Sequence, residues 1–310
     1  MMAGWPASRF AALVLLFLAG GPAFAATIKL VDDGGRIVTL PAPARRIVSL
    51  APHATELVFA AGAGNRLVGV TSYSDYPAAA KKIPQIGSYG KIDVERILAL
   101  KPDLVIGWQS GNSAADIASL ERLHIPVFLT EPLRLEDISR LIKTIGELAG
   151  TQQDAAKTAD NFSEEVAALR RRYGGRRPVR VFYEIWHDPL LTVNGAHFIS
   201  DIIAVCGGRN VFAGVRSLVP RISTESVLAE NPEAIIGGGR RNGKRGLLDG
   251  WRHYPRLTAV SRNHLLLVNP DLIHRPTPRT LDGVRQMCEQ IERVRRSDRH
   301  FPQVTGAGGD

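Results

Sequence analysis

One stretch of the chain occurs twice. Residues 93–107 are matched without a gap by residues 223–237, a constant offset of 130 positions. Each copy opens on a side chain suited to cap a helix (Asp93, Ser223) and carries a glutamate two positions later (Glu95, Glu225). A short apolar helix follows, stopped by Pro102 or Pro232, and then a run with the character of a buried strand. A second correspondence lies upstream in each half. There a basic residue leads a strand (residues 46–50 and 180–184), followed by an apolar helix that ends in Gly and Asn (residues 63–65 and 207–210). A chain that repeats strand and helix in this way is expected to form two α/β lobes, and duplicated lobes that face each other leave a cleft between them.

The segment between the halves reads as helix. Ile138, Leu141, Ile142, Ile145 and Leu148 recur at helical spacing up to Gly150. Thr151 then stands where it would cap a second helix, with apolar positions at Ala155, Ala159, Phe162, Val166 and Leu169. At 1.5 Å per residue, the second helix would extend about 32 Å from position 151 to 172. One continuous helix limits two lobes to small rotations, whereas a Gly/Ser linker would allow wide hinge motion. The expected division is residues 1–25 as a signal peptide, 26–150 as an N-terminal lobe, 151–175 as the linking helix, 176–296 as a C-terminal lobe and 297–310 as a flexible tail.

The signal peptide is read from Arg9, the apolar run of residues 10–19 and the small-residue pattern Ala23-Phe24-Ala25, with cleavage expected after Ala25. That apolar run is too short to cross about 30 Å of hydrocarbon. No Cys lies near the cleavage point to accept a lipid, so the mature chain is expected to be soluble. About 285 residues remain, enough for two lobes with separate cores. The net charge of +9 comes from short, scattered basic groups without interleaved aromatics, which reads as a solvated surface and not as a nucleic-acid interface. The chain has two cysteines, Cys206 and Cys288. In an exported chain they are expected to pair, with two buried thiols as the alternative. The pair would tie two helices of the C-terminal lobe, and a closed loop of about 80 residues would stabilise the fold by roughly 4 to 5 kcal/mol.

Catalytic signatures are lacking. There is no G-x-S-x-G, H-E-x-x-H or C-x-x-C, and the glycine-rich residues 238–245 end in Arg245 where a phosphate loop needs Ser or Thr. The expectation is a protein that is not an enzyme and has neither a resident metal nor a catalytic cofactor. No two of the eight histidines form a pair at ligand spacing, although His187 and His274 are candidates for axial ligation of a metal-containing cargo. Tyr73, Tyr76, Tyr89, Trp108 and Trp186 each follow a predicted strand. Strand ends are where open α/β sheets bind ligands, so their shared placement suits a large planar molecule, with core packing the alternative for any single one. In residues 271–279, Asp271, His274, Arg275 and Arg279 stand on a Pro-stiffened loop. They could hydrogen-bond ligand amides or carboxylates, or Asp271 and Arg275 could pair with each other. Glu95 and Glu225 either complement a helix dipole or form a symmetric docking pair for arginines of a dimeric partner.

Taken together, residues 72–77, 93–97 with Lys101-Pro102-Asp103, 205–212, 223–225 and 271–279 closely resemble the vitamin B12-binding proteins of ABC importers, in the helical-backbone class of periplasmic binding proteins. The likeness runs over residues 46–293. The glutamate repeats alone mark the wider class, which also carries haem and iron-siderophores, whereas the Tyr73 segment, the cysteine pair and the Asp271 loop are more specific. The resemblance implies an α/β fold of two Rossmann-like lobes joined by a single long backbone helix, with cobalamin or a precursor such as cobinamide in the cleft. It implies ligand contacts from Tyr73, Tyr89, Trp108, Trp186, Asp271, Leu272, Ile273, His274 and Arg275, and a disulfide between Cys206 and Cys288. Glu95 and Glu225 would dock on a dimeric permease of the inner membrane served by cytoplasmic ATPases. The protein would be periplasmic and monomeric when free. Haem, with Tyr89 or Tyr73 on the iron, is the nearest rival cargo, and an iron-siderophore comes after it. The chain departs from these relatives where they carry tryptophan and it has Tyr89 and Val219.

Overall fold

The computed structural model describes residue 1 and residues 27–88, 90–239 and 247–297. All but the first residue of the predicted signal segment and of the predicted tail, the greater part of the glycine-rich loop and Tyr89 lie outside the described residues. An antiparallel pair, β1 (Ile28–Val31) and β2 (Ile37–Leu40), precedes the first lobe. That lobe contains β3 (Ile47–Ser49), α1 (Pro52–Ala60), β4 (Leu67–Val70), the short antiparallel pair β5 (Gly87–Ser88) and β6 (Lys91–Ile92), α2 (Val94–Ala99), β7 (Leu104–Trp108), α3 (Ala114–Arg122) and β8 (Val127–Thr130). Two helices, α4 (Leu135–Ala149) and α5 (Gln152–Tyr173), lead to the second lobe. The second lobe is built from β9 (Val179–Glu184), α6 (Phe198–Val205), β10 (Gly208–Asn210), α7 (Thr224–Glu230), β11 (Ala234–Gly238), α8 (Thr258–Ser261), β12 (Leu265–Val268), α9 (Pro270–Ile273) and α10 (Thr280–Ser297).

Each lobe holds a four-stranded parallel sheet. The orders are β4-β3-β7-β8 and β10-β9-β11-β12, so the second, first, third and fourth strands occupy the same places in both. This is the two-lobed α/β class expected from the repeat. Parallel pairing in both sheets sends every connection back over a face, and the central strands β3 and β7 are correspondingly buried along most of their length.

The repeat is reproduced down to individual hydrogen bonds. Asp93 and Ser223 each accept the backbone N–H three residues on and so cap α2 and α7. Over residues 93–100 and 223–230 the order of exposed, partly buried and buried positions is identical, with Ile97 and Val227 as the buried members. The paired basic residues also share a task. The Arg46 guanidinium lies 2.6 Å from the Leu100 carbonyl at the end of α2, and Arg180 donates to the Glu230 carbonyl at the end of α7. Asp103 accepts the Arg46 N–H at 2.9 Å, and Glu233 accepts the Arg180 N–H at 2.7 Å. A short helix leaves carbonyls unpaired at its C-terminus, and each lobe satisfies one with an arginine at the equivalent place.

α4 ends where the sequence places its stop, with Gly150 left-handed at φ 66°. Thr151 differs from expectation: its hydroxyl donates to the Ala61 carbonyl at 2.6 Å and does not cap α5. Gly150 and Thr151 alone separate the two helices, and the Thr151 hydroxyl turns toward the end of α1 and ties the start of α5 to the first lobe. α5 then runs 22 residues, about 33 Å. Its buried face, from Ala155 to Tyr173, joins a continuous apolar core that includes Ile47 and Phe128 of the first lobe and Val181 and Ile291 of the second. Asp201 on α6 accepts the Leu135 N–H at 2.9 Å, so a residue of the second lobe satisfies the N-terminus of α4. The Cys206–Cys288 disulfide forms, joining the end of α6 to α10 in the buried interior.

Candidate functional site

A cavity of about 540 Å³ opens between the lobes. One wall is assembled from segments at the C-terminal ends of strands: the first turn of α1 after β3, Tyr73 after β4, Trp108 and Ser110 at β7, and residues 131–133 after β8. The opposite wall is Ile185 after β9, the first turn of α6 with His197, then Leu218 and Val219, and residues 273–276 after β12. Parallel strands in both sheets deliver their ends to one side, which is why loops far apart in sequence converge there.

Trp108 supplies the main aromatic wall of the first lobe. His53 meets it edge-on with ring centroids 5.3 Å apart, and a Cβ at Gly111 would come within 1.9 Å of the indole, so only glycine fits there. Tyr73 is 70% exposed and sits at φ 65°, a left-handed conformation that costs a tyrosine on the order of 1 kcal/mol. It is held by its neighbours: Ser72 donates from its backbone to the Gly87 carbonyl at 2.8 Å, and Ser74 receives the Thr55 hydroxyl at 3.0 Å. The turn thereby keeps the phenol ring at the cavity.

Three imidazoles line the cavity, and all are held neutral. Burial, reinforced by the positive charge of Arg275, pushes the His53 pKa down to about 4. His197 is pushed down to about 4 by burial and then by His274, and the pKa of His274 is itself lowered by desolvation. Hydrogen bonds fix tautomers. His197 Nδ1 accepts the Ile199 N–H at 3.1 Å, which places its proton on Nε2. The Thr130 hydroxyl spends its hydrogen on the Gly107 carbonyl at 2.8 Å and so accepts from His53 Nε2 at 3.4 Å. Tyr183 hydrogen-bonds His274 at 2.9 Å, and burial raises the pKa of that phenol.

Among the described residues lining the cavity, Arg275 is the one cation besides histidine, and it is neutralised. Its guanidinium reaches Asp75 at 2.7 Å and Glu56 at 3.4 Å, both on the opposite lobe, and Asp271 of its own loop at 3.7 Å. The arginine holds the Asp75 carboxyl below the usual range. Arg279 makes two bonds to Glu56, at 2.9 and 2.5 Å, and lies 3.9 Å over the Tyr76 ring. The Asp271–Arg275 pairing considered from sequence is therefore the weakest of the arginine's three contacts.

Of the predicted ligand residues, Tyr73, Trp108, Ile273, His274 and Arg275 converge on the cavity. Asp271 and Leu272 do not line it, and Leu272 packs toward Gly283 on α10. Trp186 is also outside the lining; it is 59% exposed and donates to the Asp188 carbonyl at 2.8 Å. His187 hydrogen-bonds Glu184, a buried carboxylate that also takes the Trp251 indole N–H. Glu95 and Glu225 are exposed on matching helices, and the Glu225 carboxyl is held below the usual range by its own backbone and by Ser223. Sequence reasoning missed His53, His197 and Glu56. Glu56 had one available signal, a lone charge inside the apolar helix α1.

Residues 47–272 match the family described as periplasmic binding protein. The chain is 37% identical over 254 residues to the vitamin B12-binding protein of Vibrio parahaemolyticus, covering 82% of this chain and 92% of the relative. The crystal structure of the periplasmic vitamin B12 binding protein BtuF of Vibrio cholerae superposes with a TM-score of 0.75 at 35% identity, covering 81% of this chain and 98% of the other. The periplasmic heme-binding protein RhuT of Roseiflexus sp. RS-1 gives a TM-score of 0.70 at 25% identity, covering 81% and 99%. No described helix is long and apolar enough to cross a membrane.

Proposed function

The chain belongs to the periplasmic binding protein family, and from that premise we propose that it captures cobalamin or a related corrinoid in the interlobe cavity and delivers it to an ABC importer. One observation of the site carries the ligand class: aromatic walls stand beside imidazoles held neutral, and the one described lining cation besides histidine is already bonded to two carboxylates. A corrinoid is a broad macrocycle fringed with uncharged amides, which such a surface can meet with hydrogen bonds and stacking. Haem carries two carboxylates, and burying them beside Glu131 where Arg275, the one described lining cation besides histidine, is already paired is costly.

The same premise carries the rest of the proposal. Cleavage after Ala25 releases a mature chain into the periplasm. There residues 26–150 and 176–296 act as the two lobes around the linking helix of residues 151–175, residues 297–310 form a tail, and the role is transport without catalysis. Glu95 and Glu225, one per lobe in the first turn of equivalent helices, dock on arginines of a dimeric permease driven by cytoplasmic ATPases. The ligand assignment is tested by titrating purified mature protein with cyanocobalamin, cobinamide, hemin and a ferric siderophore, followed by calorimetry and visible absorbance. Corrinoid binding at micromolar affinity or tighter is expected, and tight hemin binding with no corrinoid heat would overturn the assignment.

A further inference from the structure

Glu56 is 4% exposed, yet the side chains that pair with its carboxylate come from the other lobe. It sits on α1, in the helix whose first turn lines the cavity. Arg275 and Arg279 reach it across 219 and 223 positions of sequence. The same two arginines then grip the Tyr73 turn from above: Arg275 binds Asp75, and Arg279 covers Tyr76. One buried carboxylate thus joins a wall of the first lobe, a wall of the second and the turn that presents Tyr73.

We propose that Glu56 is the positioning residue of the cavity, a cross-lobe anchor that sets the separation of the lobes and, through Arg275 and Arg279, the placement of the Tyr73 turn and of residues 273–276. The chemistry suits that role. A buried carboxylate must be paired, and the bidentate Arg279 contact fixes direction as well as distance, so removing the charge takes the shared partner from both guanidiniums and leaves Arg275 with Asp75 and, at 3.7 Å, Asp271. The α5 strut and the Asp201 bond to α4 already tie the lobes elsewhere. Glu56 adds a tie at the cavity itself. Wide opening is then blocked at the ligand site, and entry relies on small displacements.

The affinity arm of the test rests on the corrinoid reading, and the distance arm does not. Glu56→Gln preserves shape and removes charge. Arg279→Gln removes the partner that does not line the cavity, and it carries the same test should the first variant fail to fold. Spin labels on Leu98→Cys and Leu228→Cys, exposed positions at equivalent places in the two lobes, report lobe separation by pulsed EPR without ligand. The parent should give one narrow distance, and either variant a broader or longer one. Each variant should weaken cyanocobalamin binding about tenfold or more. The double variant should be no weaker than the worse single, since both act through one contact. If the parent does not bind cyanocobalamin but the distances respond, the anchor stands and the corrinoid reading falls. Unchanged distances overturn the anchor whatever the affinity does, because a loss of affinity alone would put Glu56 at the ligand and not between the lobes.

Discussion

At the scale of single residues, His53 and His197 are the groups whose ionisation the fold suppresses. Each has a pKa near 4 in place of an ordinary value near 6.5, through burial above all. The unfolded chain therefore binds protons that the native state refuses between pH 6.5 and 4. Stability from this source is complete above about pH 6.5 and is lost as the pH falls toward 4, by on the order of 3 kcal/mol per imidazole at the acid end. Urea denaturation at a series of pH values should show this acid limb, and His53→Gln should flatten part of it. A limb of unchanged slope in that variant would mean that His53 already protonates in the native state. Neither imidazole was legible as a site residue. His53 follows Pro52 at the start of an apolar helix and His197 precedes another, and only the convergence of two strand ends brings their rings to one cavity. Trp186 shows the reverse. Like Trp108 at the end of β7 it stands at the C-terminal end of a strand, here β9, but its indole N–H turns to the Asp188 carbonyl and the ring lies outside the lining.

At the scale of elements, the sequence was far more legible, because the signals are local. Asp93 and Ser223 cap, Pro102 and Pro232 follow the helix ends, and Gly150 is left-handed: each depends on a few neighbouring residues, and each holds in the structure. The cysteine pair was readable for a different reason, since two thiols in an exported chain leave one pairing. The disulfide ties α6 to α10, and α6 presents His197 and Phe198 to the cavity from its opposite end. Replacing both Cys206 and Cys288 with alanine should lower stability by roughly 2 to 5 kcal/mol, measurable as a reduced denaturant midpoint. Neither sulfur lines the cavity, so cyanocobalamin affinity at 25 °C should stay within about threefold of the parent, a shift under 1 kcal/mol. A large fall in affinity with little loss of stability would show that α10 governs the site directly. What local signals cannot carry is partner choice. The sequence offered Arg275 and Arg279 as groups for a ligand; that Glu56 and Asp75 also pair with them from some 200 positions away is what no local pattern shows.

At the scale of the whole molecule, the duplicated architecture matters because it places one acidic position on each lobe in the same local setting. Glu95 and Glu225 are second in their helices, exposed, and flanked by the same order of buried and exposed neighbours. Neither lines the cavity. A two-fold symmetric partner can engage both at once only if the lobes keep a set separation, which the α5 strut, the shared core and the Glu56 contacts all maintain. Binding at two points also makes the second contact effectively intramolecular, so losing both should cost far more than losing one. Glu95→Lys or Glu225→Lys alone should reduce corrinoid uptake into membrane vesicles carrying the importer by a partial factor. The double reversal should abolish uptake while the affinity for cyanocobalamin in solution stays within about twofold, under 0.5 kcal/mol. Loss of affinity in the double variant would instead place these acids in communication with the cavity. Full uptake with both reversed would mean that the lobes meet the membrane partner through another face, and that the symmetry of the acids records only the duplication of the fold.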